Sequence, residues 1–284
     1  MKIKVKNISL DLSNINVMGI LNVTPDSFFD GGKYYSLPNS IDRAYHMISL
    51  GINILDIGGE STRPNYTEIS EQEELDRVIP VLEAISSRFD IFISIDTSKY
   101  VVIKESIAKG AHMINDVRSF STNESLKEIS KSEVLCCIVH SKLTNSTIVN
   151  DYKYSNVLKE VYNFFSKKIL LCETLGINRN RLILDPGFGF SKSIINNYQI
   201  LSNIHKFKSF NLPLMVGMSR KSMITKLLDI QVSESLAGSL TCNIIAILKG
   251  INIIRTHDVK ETLNAIDIIK IVKLFKDLNF DDQS

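Results

Sequence analysis

The chain has 284 residues, 44% of them hydrophobic and 23% charged, which is ordinary for one large globular core. A formal net charge of +2 gives no basis for a nucleic-acid or anionic-membrane partner, and no apolar run approaches the length of a membrane span. Four cysteines (Cys136, Cys137, Cys172 and Cys242) lack metal-ligand spacing and read as free thiols of a reducing, cytoplasmic compartment.

In chain order, Lys2 to Asn16 predicts a short β-hairpin with Ile3 and Val5 on one face, and it lacks the apolar core of a signal peptide. The first buried strand, Val17 to Leu21, ends on Asn22 and opens into the loop VTPDSFFDGGKYYSLPN. Ser40 is the expected cap of a helix running to Leu50. Ile52 to Ile57 follows, with Asp56 near its end and GGESTRPNYTEIS beyond, then a helix led by the acidic residues from Glu71. Ile91 to Ile95 ends on Asp96, and Ala111 to Ile114 ends on Asn115-Asp116. Val134 to Val139 ends on His140, and a polar segment separates it from a long helix, about Asn156 to Leu175. Arg181 to Leu184 ends on Asp185, followed by the Pro-Gly-Phe-Gly-Phe loop. Leu212 to Val216 ends on Gly217, and a helix is expected to start near Ser219. After the helical stretch SESLAGSLTCNIIAILK, Ile251 to Ile254 ends on Arg255-Thr256-His257-Asp258, and a last amphipathic helix runs from Glu261 to about Leu278.

Continuous aliphatic runs mark parallel strands buried on both faces. Eight such runs alternating with helices predict a single-domain (β/α)8 TIM barrel over residues 1–284, preceded by the hairpin, with its site at the C-terminal ends of the strands. A doubly wound sheet competes, but the Gly-x-Gly-x-x-Gly turn after the first strand is missing. Gly51, Gly110, Gly176 and Gly250 stand where helices should stop.

Collected on one rim, the strand-end residues divide into two chemistries. Asp96, Asn115 and Asp185 suit the edge of a polar heterocycle, whereas Lys221, Arg255, His257 and Arg63 suit a polyanion such as diphosphate, helped by the helix near Ser219. Asn22 offers a carbonyl oxygen to Mg²⁺. Each has a plainer reading. Asp96 and Asp185 also suit a helix cap and a turn, Asp116 suits a scaffold role, and His140 a structural one. Asp56 divides between supporting the site and a simple turn.

The segments MGILNVTPDSFFDGG (18–32), DIGGESTRP (56–64), SIDTSK (94–99), INDVRS (114–119), LDPGFGF (184–190), GMSRKS (217–222) and RTHDV (255–259) resemble, in order, those of the dihydropteroate synthases of folate biosynthesis. That resemblance implies a transferase that joins 6-hydroxymethyl-7,8-dihydropterin diphosphate to 4-aminobenzoate, giving 7,8-dihydropteroate and diphosphate with Mg²⁺. It implies that Asp96, Asn115, Asp185 and Lys221 hold the pterin. Asn22, Arg63, Arg255 and His257 would hold the diphosphate and its metal, and Thr62, Pro64, Phe190, Lys221 and Ser222 would line the aminobenzoate pocket. It also implies a homodimer using late helices, a sulfonamide target, and two mobile loops at 24–37 and 63–70. Asp26, Ser27 and Phe28 would belong to a lid.

The chain departs from that pattern at Val139 and Ser141, where methionines are usual, at Asn65 and Ser191, where glycine is usual, and at Thr256, which replaces an aliphatic residue. Two alternatives share the barrel. A pterin-binding methyltransferase domain would not need a diphosphate clamp, and a non-catalytic pterin-binding paralogue should lose it. A phosphosugar aldolase or isomerase would want a lysine or glutamate within a barrel strand, and none stands out.

Overall fold

The computed structural model describes residues 2–24, 37–60, 68–144, 147–149 and 152–275. The hairpin forms as expected, β1 (Lys2–Val5) pairing antiparallel with β2 (Ile8–Asp11). Then come β3 (Asn16–Asn22), α1 (Leu37–Ser49), β4 (Ile54–Gly58), α2 (Glu71–Ser86), β5 (Phe92–Asp96), α3 (Tyr100–Ala108), β6 (Met113–Asp116), α4 (Asn123–Ser130) and β7 (Leu135–Val139). A small antiparallel pair, β8 (Leu143–Thr144) and β9 (Thr147–Ile148), occupies the stretch read as merely polar. The chain closes with α5 (Val157–Thr174), β10 (Leu182–Asp185), α6 (Ile194–Asn203), β11 (Met215–Val216), α7 (Ser222–Leu228), α8 (Leu236–Leu248), β12 (Ile253–Thr256) and α9 (Val259–Leu274).

Local chemistry sets most helix boundaries. Ser70 and Asn156 cap α2 and α5 by accepting from the amides of Glu73 and Lys159. All four glycines expected to end helices adopt positive φ. Ser40 is a correction: α1 begins three residues earlier, at Leu37, and Ser40 lies buried inside the helix. The helix expected near Ser219 begins instead at Ser222, because Arg220 takes a left-handed φ of 60° that no helix can continue. Arg181 belongs to a short 3-10 turn before β10, where its guanidinium donates to the carbonyls of Val134 and Ile129.

The eight parallel strands run in the order β10-β7-β6-β5-β4-β3-β12-β11, and a Leu184–Leu214 bridge joins the two ends into a barrel. Alternation along each strand sorts the core into two parts. Leu55, Ile57, Ile93, Ile95, Ile114 and Ile138 face outward into the helix layer. Met18, Ile54, Phe92, Met113, Leu135, Ile183, Met215 and Ile253 fill the interior together with Val5, Leu10 and Leu12 of the hairpin segment. The hairpin thus plugs the N-terminal mouth with aliphatic side chains. One strand repeat higher the interior turns polar, at Asp56, Ser94, Asn115, Asp185 and Arg255, and the site begins there.

Candidate functional site

The register fixes which rim residues meet. Asn22 stands opposite Gly58, Gly58 opposite Asp96, and Asp96 opposite Asn115. Gly58 lies between the two side chains: an ideal Cβ there would be 3.8 Å from both Asn22 Oδ1 and Asp96 Oδ2. Beside them β12 sends Arg255 inward. Its Nε donates to Asp56 Oδ2 at 2.6 Å and its Nη2 to Asp96 Oδ2 at 2.6 Å. Asn115 Nδ2 donates to the same Asp56 oxygen at 3.3 Å, which leaves the amide oxygen of Asn115 as an acceptor for a ligand edge.

Asp56 is therefore far more than a turn residue: its side chain is fully buried and carries one of the two ion pairs of Arg255. Its Oδ1 and the hydroxyl of Ser94 are buried without a protein partner, so polar capacity remains in the barrel mouth. Burial works against the charge of Arg255, but Asp56 and Asp96 overcome it and raise its pKa. Burial pushes Asp96 up to about 7, with Arg255 opposing the rise and Asp56 adding to it.

The second half of the rim comes from the loop after β10. Asp185 Oδ1 accepts from the amide of Gly187 at 2.7 Å, and Gly187 has φ 69°. A Cβ on Gly187 would meet the carbonyl oxygen of His140 at 2.0 Å, so only glycine fits this turn. Lys192 is buried beneath the loop and donates to the carbonyls of Gly187 at 2.8 Å, His140 at 3.0 Å and Phe190 at 3.0 Å. The sequence reading gave it no role, since a lysine after a Gly-aromatic loop looks like an exposed turn residue. Lys221 reaches in from the opposite side. Its Nζ donates to the carbonyl of Phe188 at 2.7 Å and sits 4.6 Å from the centroid of the Phe190 ring. Burial lowers it to about 8, with Asp185 as the main opposing influence. Burial likewise raises Asp185, opposed first by Lys221.

Asn22, Asp96, Asn115, Asp185, Phe190, Lys221, Arg255 and His257 thus lie at the C-terminal ends of their strands or in the loops that follow. Ser222 is exposed at the first position of α7. Thr62, Arg63 and Pro64, the loop departure Asn65 and the lid residues Asp26, Ser27 and Phe28 lie outside the described residues. Asp116 is committed to scaffolding, accepting from Ser98 Oγ and from the amides of Arg118 at 2.8 Å and Phe120 at 2.6 Å. His140 is buried between Phe164 and Tyr154, and burial drives it down to about 2, which makes it a neutral strut. His257 Nδ1 lies 3.2 Å from Ser219 Oγ.

The departures find local compensation. Ser191 adopts φ 57°, and its hydroxyl contacts both the amide (3.2 Å) and the carbonyl (3.3 Å) of Lys142. Ser141 donates to the carbonyl of Val117 at 2.7 Å. Thr256 accepts from the amide of Asp258 at 3.1 Å.

For a metal, the amide oxygen of Asn22 at the end of β3 is a hard donor of the kind Mg²⁺ takes, the rest of its shell coming from phosphate and water. Among the described residues no three His, Cys, Asp or Glu side chains cluster as an all-protein metal cage.

Comparison with known proteins agrees with this geometry. A family model described as "Pterin binding enzyme" matches residues 18–257. The dihydropteroate synthase of Escherichia coli K12 is 50% identical over 270 residues, covering 95% of this chain and 96% of that protein. The structure of the Yersinia pestis dihydropteroate synthase in a sulfonamide drug complex is 45% identical with a TM-score of 0.90, over 96% of this chain and 100% of that one. The Xanthomonas albilineans dihydropteroate synthase in complex with 7,8-dihydropteroate is 32% identical with a TM-score of 0.88, over 96% and 99%. This chain belongs to the pterin-binding enzyme family and, within it, to the dihydropteroate synthases.

Proposed function

We propose that this chain transfers the pterin methylene of 6-hydroxymethyl-7,8-dihydropterin diphosphate to the amine of 4-aminobenzoate, releasing diphosphate. The observation that carries this reading is the rim itself: the buried carboxylates of Asp56 and Asp185, the buried amide of Asn115, and the partly buried Asp96, Lys221 and Arg255 close over an apolar barrel floor. Asp96, Asn115 and Asp185 present acceptors to the N–H groups of the pterin edge, and Lys221 donates to its acceptor atoms. Burial makes each of these bonds worth more than it would be in water.

An aniline nitrogen attacks without a strong general base. The costly event is C–O cleavage, as positive charge grows on the methylene and negative charge on the leaving diphosphate. Carboxylates around the pterin and cations toward the diphosphate lower the energy of that separation. Arg255 serves both sides, because its guanidinium is fixed by Asp56 and Asp96 while the residue lies two positions from His257 on the same strand end. We assign Asn22, Arg63, Arg255 and His257 to the diphosphate, and Thr62, Pro64, Phe190 and Ser222 with Lys221 to 4-aminobenzoate. Mg²⁺ bound through Asn22 would supply further charge to the diphosphate oxygens.

A homodimer is part of the proposal. Leu248 on α8 and Ile268, Ile271, Val272 and Leu274 on α9 are each more than half exposed, apolar surface that a second copy would cover. Light scattering after size exclusion tests it: a mass twice 32.0 kDa is expected, and a monomer at micromolar concentration would reject it. A cytoplasmic setting is supported by four cysteines that are all buried free thiols. No helix among the described residues is long and apolar enough to cross a membrane. The activity itself is tested by incubating the protein with the pterin diphosphate, 4-aminobenzoate and Mg²⁺ and identifying the product by mass.

A further inference from the structure

β11 and β12 are parallel neighbours, so the loops that follow them meet across one seam of the rim. The first loop carries Ser219, Arg220 and Lys221, and the second carries His257 and Asp258 just after Arg255 on β12. Asp258 occupies the N-cap position of α9, where an aspartate ordinarily accepts from the helix amides, yet its side chain makes no capping bond. Its backbone is pinned instead: Thr256 Oγ1 accepts from its amide at 3.1 Å, and Thr262 Oγ1 donates to its carbonyl at 2.7 Å. The carboxylate turns across the seam. Oδ1 pairs with Arg220 Nη2 at 2.5 Å, while Oδ2 accepts from Arg220 Nε and from Ser219 Oγ, both at 3.3 Å.

Arg220 is the residue whose left-handed backbone stops α7 from starting earlier, and its amide donates to Ser239 Oγ at 3.0 Å. A bulky side chain holds such a conformation only when its surroundings impose it. Asp258 and Ser239 are those surroundings.

The hydrogen-bond capacities at Ser219 then assign the imidazole. A hydroxyl has one hydrogen and two lone pairs. An aspartate paired with arginine can only accept, so the Ser219 hydrogen points to Asp258. Ser219 Oγ accepts from the backbone amide of His257 at 3.3 Å, and only a lone pair remains for His257 Nδ1 at 3.2 Å. With the Ser219 hydrogen on Asp258, the contact to Nδ1 is made by a hydrogen on Nδ1. These contacts are long, as site hydrogen bonds often are before a ligand draws them in.

We propose that Asp258 and Ser219 are positioning residues that hold the Nδ1–H of His257 and fix its ring, so that the imidazole, once protonated, turns its Nε2–H toward the diphosphate. The relay rests on the synthase reading for its ligand, but the tautomer itself does not. Acting through Arg220, the same carboxylate holds the loop from which Lys221 enters the site, so one side chain sets the spacing of both cationic loops.

The direct test is long-range ¹H–¹⁵N correlation spectroscopy of the full chain at alkaline pH, with the His257 signals assigned by their loss in His257→Asn. The wild type is expected in the Nδ1–H form, and Ser219→Ala should lose that preference while Ser219→Thr keeps it. An Nε2–H wild type would overturn the proposal. In kinetics, Ser219→Ala and Asp258→Asn should each weaken product inhibition by diphosphate about tenfold, the scale of one oriented hydrogen bond to a charged group. Binding of 6-hydroxymethylpterin, which lacks the diphosphate, should change less than about twofold, since the pterin residues keep their contacts. Unchanged diphosphate inhibition in both variants, or equal loss of both ligands, would also overturn it. Absence of turnover in the wild type would instead reject the synthase reading and leave the tautomer result standing.

Discussion

Asp185→Asn separates the proposed pterin role of this residue from its role in the turn. The amide is nearly isosteric, and its oxygen can still accept from the amide of Gly187, now at 2.7 Å from Asp185 Oδ1, so the Pro-Gly-Phe-Gly-Phe loop should survive. What is lost is the negative charge and the second acceptor oxygen, replaced by an N–H₂ that faces the pterin donors. A hydrogen bond to a charged acceptor contributes about 1.5–3 kcal/mol, so pterin binding should weaken by about 10- to 150-fold. A second signature follows from Lys221, which burial lowers to about 8 and which Asp185 holds up against that burial. Without the carboxylate its pKa falls further, and the alkaline limb of the turnover profile moves to lower pH. Stability should not suffer at pH 8. Burial raises the folded-state pKa of Asp185, so its ionised form contributes nothing to folding there. The assay is calorimetric titration with 6-hydroxymethylpterin at pH 8, beside thermal melts and a pH–rate profile. Pterin affinity within about twofold of wild type, in a folded variant, would refute the assignment, because a lost charge-assisted bond cannot be that small.

Arg255→Ala leaves Asp56 and Asp96 buried without their cation, so a stability loss of about 3–5 kcal/mol is expected together with a large fall in turnover number. An unchanged turnover number would remove Arg255 from the chemistry. Lys192→Met strips three carbonyls of their donor, and at about 1 kcal/mol per bond the unfolding free energy from denaturant titration should fall by about 3 kcal/mol. A shift below about 1 kcal/mol would mean that the loop holds itself without this lysine. Asp96 makes the pH dependence testable. Its folded pKa of about 7 lies above the 3.8 of an ordinary aspartate, so its contribution to stability is fully present below 3.8 and is lost as pH rises through 7. Pterin binding runs the other way, falling by about tenfold per pH unit below 7 as the acceptor takes a proton, and this slope should vanish in Asp96→Asn.

Sequence pattern carried the architecture because each barrel strand is a buried aliphatic run with its polar residue at the C-terminal end. Val17 to Asn22 and Ile91 to Asp96 place that residue without any knowledge of tertiary contacts. What the pattern could not carry is pairing between distant strands. Asp56 and Arg255 are 199 residues apart, and only barrel closure puts them 2.6 Å from each other, so the importance of Asp56 was invisible locally. Lys99 likewise reads as part of a cap, yet it bridges Glu60 at 3.0 Å and Glu74 at 2.7 Å, with Glu74 fully buried in α2. Ser40 misled because serine before an aliphatic run has strong capping chemistry, while the helix had already started at Leu37. Arg220 gave no signal at all: an arginine between Ser219 and Lys221 in a turn carries no hint of positive φ, and its ion pair with Asp258 joins two loops far apart in sequence.

On this mechanism the rim separates charge between a pterin and its diphosphate only when an aniline is there to attack. The most direct measurement is diphosphate release from 6-hydroxymethyl-7,8-dihydropterin diphosphate with Mg²⁺, with and without 4-aminobenzoate. Release that requires 4-aminobenzoate and matches 7,8-dihydropteroate mole for mole is the predicted result. Tight pterin binding with no release in the presence of both substrates would contradict it and leave a protein that only binds pterins.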